Sequence, residues 1–177
     1  RDREGTPDAL VALGAELGFA VEVVPLVLVD AQPVSSSRIR ALVASGRMDD
    51  VVPLLGRPFA VDGFVVRGDG RGRQLGFPTA NVARADGIVR PAEGVYAGVA
   101  VLDDGRRLRT AVSVGTNPTF AGVREVRIEA HLIDFDEDLY GRRITVEFHR
   151  FLRGQEVYTS LDGLIAQIHA DVAASRA

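Results

Sequence analysis

Between Phe59 and Phe151 the chain offers one short β-branched segment after another, with no helical period between them. The strand candidates are Phe59–Arg67, Val95–Leu102, Leu108–Val114, Val126–Ile133 and Ile144–Phe151, with glycine and proline as punctuation. Asp104-Gly105 is a hairpin signal between the second and third. Strands that follow one another without crossover helices pair antiparallel. The fold class is therefore mainly β, a small antiparallel barrel or sandwich. Beyond it, Leu161, Leu164, Ile165, Ile168 and Val172 form one apolar stripe, which predicts a C-terminal helix packed on the sheet.

The first third has a different texture. Thr6-Pro7-Asp8 supplies a hydroxyl cap, a proline at the first helical position and an acid at the positive end of the dipole. Leu10, Leu13 and Leu17 keep helical spacing, and Gly18 is placed to end the helix. Ala20–Val29 reads as a buried strand despite Pro25, Ser35–Ser45 as a second helix closed by Gly46, and Asp49–Leu55 as a turn ending at Gly56. Helix, buried strand and helix suggest an α/β unit, with a boundary at residues 55–58. Arg1 rather than Met opens the chain, so these residues read as the tail of a longer domain.

Composition removes most chemistries. There is no Cys, which excludes disulfides, thiolate zinc sites and cysteine nucleophiles. With three His, a zinc site is improbable. The net charge of −3 and 6% aromatic content argue against a broad nucleic-acid surface, which needs basic grooves and stacking platforms. No apolar run reaches the roughly 18–20 residues of a membrane span.

The densest signal is the string from Arg67 to Asn81, Arg-Gly-Asp-Gly-Arg-Gly-Arg-Gln-Leu-Gly-Phe-Pro-Thr-Ala-Asn. Closely spaced glycines (Gly68, Gly70, Gly72, Gly76) can turn backbone N–H groups toward an anion, and Arg67, Arg71 and Arg73 add charge, so phosphate is the natural ligand. A hairpin loop that binds nothing fits the glycines equally well. No Gly-Lys-Ser/Thr follows, and Pro78 prevents a helix from starting on cue, so neither a Walker loop nor a Rossmann turn fits. In an extended segment after Pro78, Thr79 and Asn81 project to the same side, suitable for a hard cation carrying phosphates, or for an Asx-type turn. Alternation over 127–132 puts Ile128, Ala130 and Leu132 on one face and Glu129 and His131 on the other. Glu129 is a candidate general base, against a plain solvated face. Asp134–Asp138 lacks the glycine and the terminal glutamate of a calcium loop and reads as a turn. Ser35, Ser36 and Ser37 with Arg38 and Arg40 at a helix start make either an anion site or a capped amphipathic helix.

Taken together, Val34–Arg40, Gly56-Arg57-Pro58-Phe59, Gly68–Asn81, Gly115-Thr116-Asn117-Pro118-Thr119-Phe120, Glu129-Ala130-His131, Leu139-Tyr140-Gly141 and Phe151-Leu152-Arg153 resemble the bifunctional prokaryotic FAD synthetases. These join an FMN adenylyltransferase to a riboflavin kinase. The likeness runs over essentially the whole chain, and Leu75–Asn81 is its most specific string. It implies a Greek-key β-barrel with a C-terminal helix over 57–177. It implies the C-terminal part of a Rossmann-like nucleotidyltransferase domain over 1–56, with Ser35–Arg40 kept as an anion element.

The implied activity is transfer of the ATP γ-phosphoryl to the 5′-hydroxyl of riboflavin, giving FMN in the cytoplasm, with no membrane or nucleic-acid partner. By motif match, Glu129 is the base, and Thr79 and Asn81 hold Mg²⁺ and the phosphates. Gly68–Gly76, with Arg71 and Arg73, folds over ATP, and Pro78, Leu132, Asp134 and Tyr140 line the nucleotide site. Asn117, Arg153, Glu156 and Tyr158 line the flavin. Glu156 and Tyr158 depart from the lysine and phenylalanine common at those places. The His-containing nucleotide motif of the adenylyltransferase half is missing, so the chain as given is expected not to make FAD, and an N-terminal adenylyltransferase portion is expected in a parent protein. The alternatives are a non-catalytic barrel that binds phosphate or RNA, and a flavin- or nucleotide-binding regulator.

Overall fold

The computed structural model describes residues 5–84, 87–118 and 124–176. The chain divides after Val34 into two compact units. In the first, helix α1 (Pro7–Leu17) starts where the sequence predicts: the Thr6 hydroxyl accepts from the Ala9 amide at 3.2 Å. It ends at Gly18, left-handed at φ 79°, whose N–H donates to Gly14 O. The expected buried strand over Ala20–Val29 does not form. Pairing is confined to β1 (Leu28–Val29) and β2 (Gln32–Pro33), and Val23, Val24, Leu26 and Val27 are exposed. A strand needs a neighbour to take its N–H and C=O groups, and among the described residues here Gln32–Pro33 provides the ladder partner, with the Val34 N–H adding one bond to Val27 O at 2.9 Å.

The second unit opens with α2 (Ser36–Ala44), capped by Ser35, and α3 (Met48–Leu55). The segment expected as a turn is thus a helix. Met48, Val51 and Leu54 at i, i+3, i+6 are buried, and Asp49 and Asp50 lie in the first turn, which outweighs Pro53. Six antiparallel strands then close a barrel in the order β3-β4-β7-β6-β5-β8. They are β3 (Phe59–Val66), β4 (Ala80–Arg84), β5 (Gly94–Leu102), β6 (Arg107–Pro118), β7 (Arg124–Leu132) and β8 (Arg143–Arg153). Strands β5, β6 and β7 run as a meander and β8 returns beside β5, which is the Greek-key order. β4 was legible only as an extended segment, and Thr79 lies just before it.

Alternation fills the barrel. Val61, Val65, Val82, Tyr96, Val112, Ile128, Val146 and Phe148 point inward, and Val43, Met48 and Val51 of α2 and α3 join the same core. Closure of β5 against β8 needs Gly98, since a Cβ there would lie 2.3 Å from Glu147 O, beside a register shift. Between β3 and β4, one short turn, α4 (Arg71–Gln74), interrupts the glycine-rich string. Helix α5 (Leu161–Arg176) packs on β5 and β6. Leu164, Ile165, Ile168 and Val172 are half-buried and Leu161 is exposed, so the stripe is only partly used; the residues α5 buries fully are Asp171 and Ser175. No helix among the described residues is long and apolar enough to cross a membrane.

Candidate active site

The site is built on the outer wall of the barrel. Ala80, Ala130 and Val112 are paired across β4, β7 and β6 and buried inward. One residue along, Asn81, Glu129 and Ser113 are paired in the same way and therefore share the opposite face. Two elements cover that row. The 67–76 loop lies over one side. The segment after β8 covers the other, where Gln155 Nε2 donates to Ser113 Oγ at 3.1 Å and to Val114 O at 2.9 Å. Between them lies a cavity of about 310 Å³ lined by Thr79, Asn81, Glu129, Ser113, Arg127 and Gln155. Asp69, Arg71, Glu93 and Thr116 add to its polar rim, and Gly70, Gly72 and Gly115 line it with backbone.

A second cavity of about 270 Å³ opens on the other side of Thr79, which lines both. Val65, Leu132, Phe135 and Leu139 give it apolar walls, and Arg73, Pro78 and Tyr140 stand at its edge. Arg67 lies 5.5 Å from the Tyr140 ring centroid. The hairpin after β5 braces this rim: Arg106 is bonded to both Asp104 and Glu137, and lies over Phe135.

Burial pushes the Glu129 carboxyl above the ordinary glutamate range; Arg127 opposes that shift, Asp69 adds to it and Arg71 opposes it. Asp69 Oδ2 lies 3.4 Å from both Arg127 and Arg71, so one carboxylate bridges two guanidiniums beside Glu129. Asn81 is only 9% exposed, and its Oδ1 has no hydrogen-bond partner among the described residues. Gly68 backs it closely: a Cβ there would lie 2.3 Å from Asn81 Nδ2. A buried acceptor without a donor is costly unless a ligand completes it.

The glycine string differs from a simple anion cradle. The amides of Leu75, Gly76 and Phe77 donate to Gly72 O, Arg73 O and Gly72 O, closing the loop on itself. The amide of Arg38 donates to Ser35 Oγ and the guanidinium of Arg40 to Ser37 Oγ, so these hydroxyls serve the start of α2; Ser36 is its first residue. Asp134 is exposed and ion-paired with Arg176. Arg153 is clasped by Asp171 and lies over the Tyr158 ring, whose hydroxyl donates to Glu156. Asn117 stands on β6 opposite Glu125 by backbone register. Its side chain, and Thr119 and Phe120, lie outside the described residues.

A family profile described as Flavokinase: Riboflavin kinase matches residues 55–177, the stretch that carries both cavities. The chain belongs to the riboflavin kinase family. It is 44% identical over 176 residues to a bifunctional riboflavin kinase/FMN adenylyltransferase of Pseudomonas fluorescens, covering 99% of this chain and 56% of that one. It is 41% identical to the enzyme of that name in Escherichia coli K12, covering 98% and 55%. The chain thus spans a little over half the length of these relatives. Among solved structures, a riboflavin kinase from Trypanosoma brucei superposes at TM-score 0.53 with 25% identity, covering 68% of this chain and 76% of that one. A Streptococcus pneumoniae structure titled a macrolide-efflux protein superposes at TM-score 0.84 with 34% identity, covering 97% and 55%.

Several residues at the cavity of this riboflavin kinase relative were missed in the sequence. Arg127 was findable, since it alternates with Glu129 on one strand face. Asp69, Glu93, Ser113 and Gln155 come from separate elements and share no spacing; only the barrel's closure brings them together.

Proposed function

We propose that this chain phosphorylates riboflavin at the ribityl 5′-hydroxyl, using ATP and releasing FMN and ADP. What supports the reading is two cavities that meet at Thr79, one with apolar walls suited to a nucleotide base and one with a polar rim suited to a polyol. Glu129 lines the polyol side and takes the alcohol proton as the oxygen–phosphorus bond forms. The bond from phosphorus to the ADP oxygen breaks, and the leaving charge remains on ADP. A carboxylate whose proton affinity is raised by burial is a better base than an ordinary one.

Mg²⁺ fits the residues present. Asn81 offers an orphaned buried oxygen, and it shares the cavity wall with Thr79. Thr79 and Asn81 would hold the ion, which neutralises phosphate charge during transfer. Arg71 and Arg127 stand where they can meet the transferred phosphoryl group, and Arg73, Leu132 and Tyr140 contact the nucleotide. The 67–76 loop excludes water. Arg153, Glu156 and Tyr158 flank the flavin ring, with Asn117 near the same end of β6.

In this reading residues 57–177 are the kinase domain. Residues 1–56 correspond to the end of an adenylyltransferase domain, with Ser35–Arg40 as its anion element, even though α2 and α3 pack with the barrel core and the Ser35 and Ser37 hydroxyls accept from Arg38 and Arg40. Incubation with riboflavin, ATP and Mg²⁺ followed by chromatography tests the activity. FMN that accumulates with time and depends on ATP is expected; its absence from folded protein overturns the proposal.

A further inference from the structure

Asp171 is a carboxylate on the helix that covers the barrel, and it is 7% exposed. Both its oxygens are engaged. Arg153, the last residue of β8, donates from Nε to Oδ1 at 3.0 Å and from Nη2 to Oδ2 at 2.7 Å, and Gln167 donates to Oδ1 at 2.9 Å. The Asp171 carbonyl accepts from Ser175 Oγ at 2.8 Å. Two parallel N–H···O bonds fix the guanidinium plane as well as its position.

That plane has further duties. Arg153 Nη1 donates to Gly154 O at 3.0 Å, and the guanidinium lies 5.8 Å from the centre of the Tyr158 ring. Between these anchors, Gln155 reaches Ser113 and Val114 and walls the Glu129 cavity. The segment has little else to hold it: Gly154, Gln155, Glu156 and Val157 are all exposed, Val157 to 96%. An apolar pair would pack a helix on a barrel about as well as a buried ion pair does, because desolvation offsets most of the attraction. What an ion pair adds is orientation.

We propose that Asp171 is a positioning residue for the flavin substrate, acting through Arg153 to set the 154–158 segment whose Gln155 walls the cavity of Glu129. This rests on the riboflavin kinase reading above. It predicts a substrate-selective effect, since the nucleotide cavity is lined from β3, β4, β7, the 135–140 turn and Arg73, Pro78 and Thr79, and none of these residues is bonded to Asp171 or Arg153.

The test compares the full chain with Asp171→Asn, Asp171→Glu and Gln155→Ala in steady-state kinetics. In Asp171→Asn, KM for riboflavin rises roughly tenfold while KM for ATP and kcat stay within about twofold, the pattern of lost substrate positioning. Asp171→Glu, which restores the charge, recovers part of the loss. Amide hydrogen exchange in Asp171→Asn rises at residues 154–158. Gln155→Ala, which leaves the clasp intact, reproduces the KM effect without lowering Tm. The inference falls if folded Asp171→Asn keeps the wild-type riboflavin KM, or if both KM values and kcat move together. Should Asp171→Asn not fold, an unchanged riboflavin KM in Gln155→Ala overturns it. Absence of FMN formation by the wild-type chain would instead sink the functional reading, and the exchange measurement would still judge the clasp.

Discussion

The Glu129 carboxyl stands two residues from Arg127 on the same strand face and is still pushed above the ordinary range, because burial outweighs the cation. The raised proton affinity has consequences of definite sign. The acid limb of kcat/KM should lie above the ordinary glutamate value of about 4.3, since activity needs the ionised form. Glu129→Gln should lose roughly 10²–10⁴-fold in turnover, measured as FMN formation. Its Tm at neutral pH should nonetheless equal or exceed that of the wild type. A folded-state pKa raised above the unfolded value makes the ionised wild type less stable as pH rises through that pKa, and the neutral amide avoids this. The advantage should shrink as pH falls back toward the ordinary carboxylate range; a Gln variant less stable at neutral pH would contradict the burial argument. Glu129 was legible because strand alternation gives a residue's face directly. Asp69, which bridges Arg71 and Arg127 beside it, was not, because a loop residue carries no such period.

At the scale of elements, two glycines separate folding from function. At Gly98 an added Cβ meets the Glu147 backbone where β5 closes on β8, and backbone cannot step aside. Gly98→Ala should therefore cost about 1–3 kcal/mol, the usual range for overpacking, read from chemical denaturation. At Gly68 the added Cβ meets the Asn81 side chain. Gly68→Ala should leave Tm nearly unchanged and weaken the dependence of activity on Mg²⁺ and ATP, because it displaces the oxygen proposed to serve them. Equal stability losses in the two variants would show that the loop is part of the core. The helix α3 and the turn α4 were invisible in the sequence for opposite reasons. Pro53 masked a helix that tertiary burial of Met48, Val51 and Leu54 selects, whereas the four residues of α4 are too few to show a period.

On the scale of the whole molecule, the two compact units divide after Val34, and both cavities lie in the second. A chain of residues 35–177 should thus form FMN at a rate within about twofold of the full chain, while removal of α5 should raise the riboflavin KM or unfold the barrel. Chromatography and thermal denaturation on the two truncations check this; loss of activity on removing residues 1–34 would contradict it. Five of the six barrel strands (β3 and β5 to β8), the hairpin at Asp104-Gly105, the helix caps at Thr6 and Ser35 and the outward face of Glu129 were legible in the sequence. All of these depend on near neighbours in the chain: side-chain alternation, turn chemistry and a hydroxyl three residues from an amide. Tertiary assembly settles that Ala20–Val27 forms no strand, that Asn81, Glu129 and Ser113 form one row, and that Asp171 holds Arg153. Those outcomes depend on which distant strand or helix arrives alongside, and closure of the barrel, rather than any local preference, makes that choice.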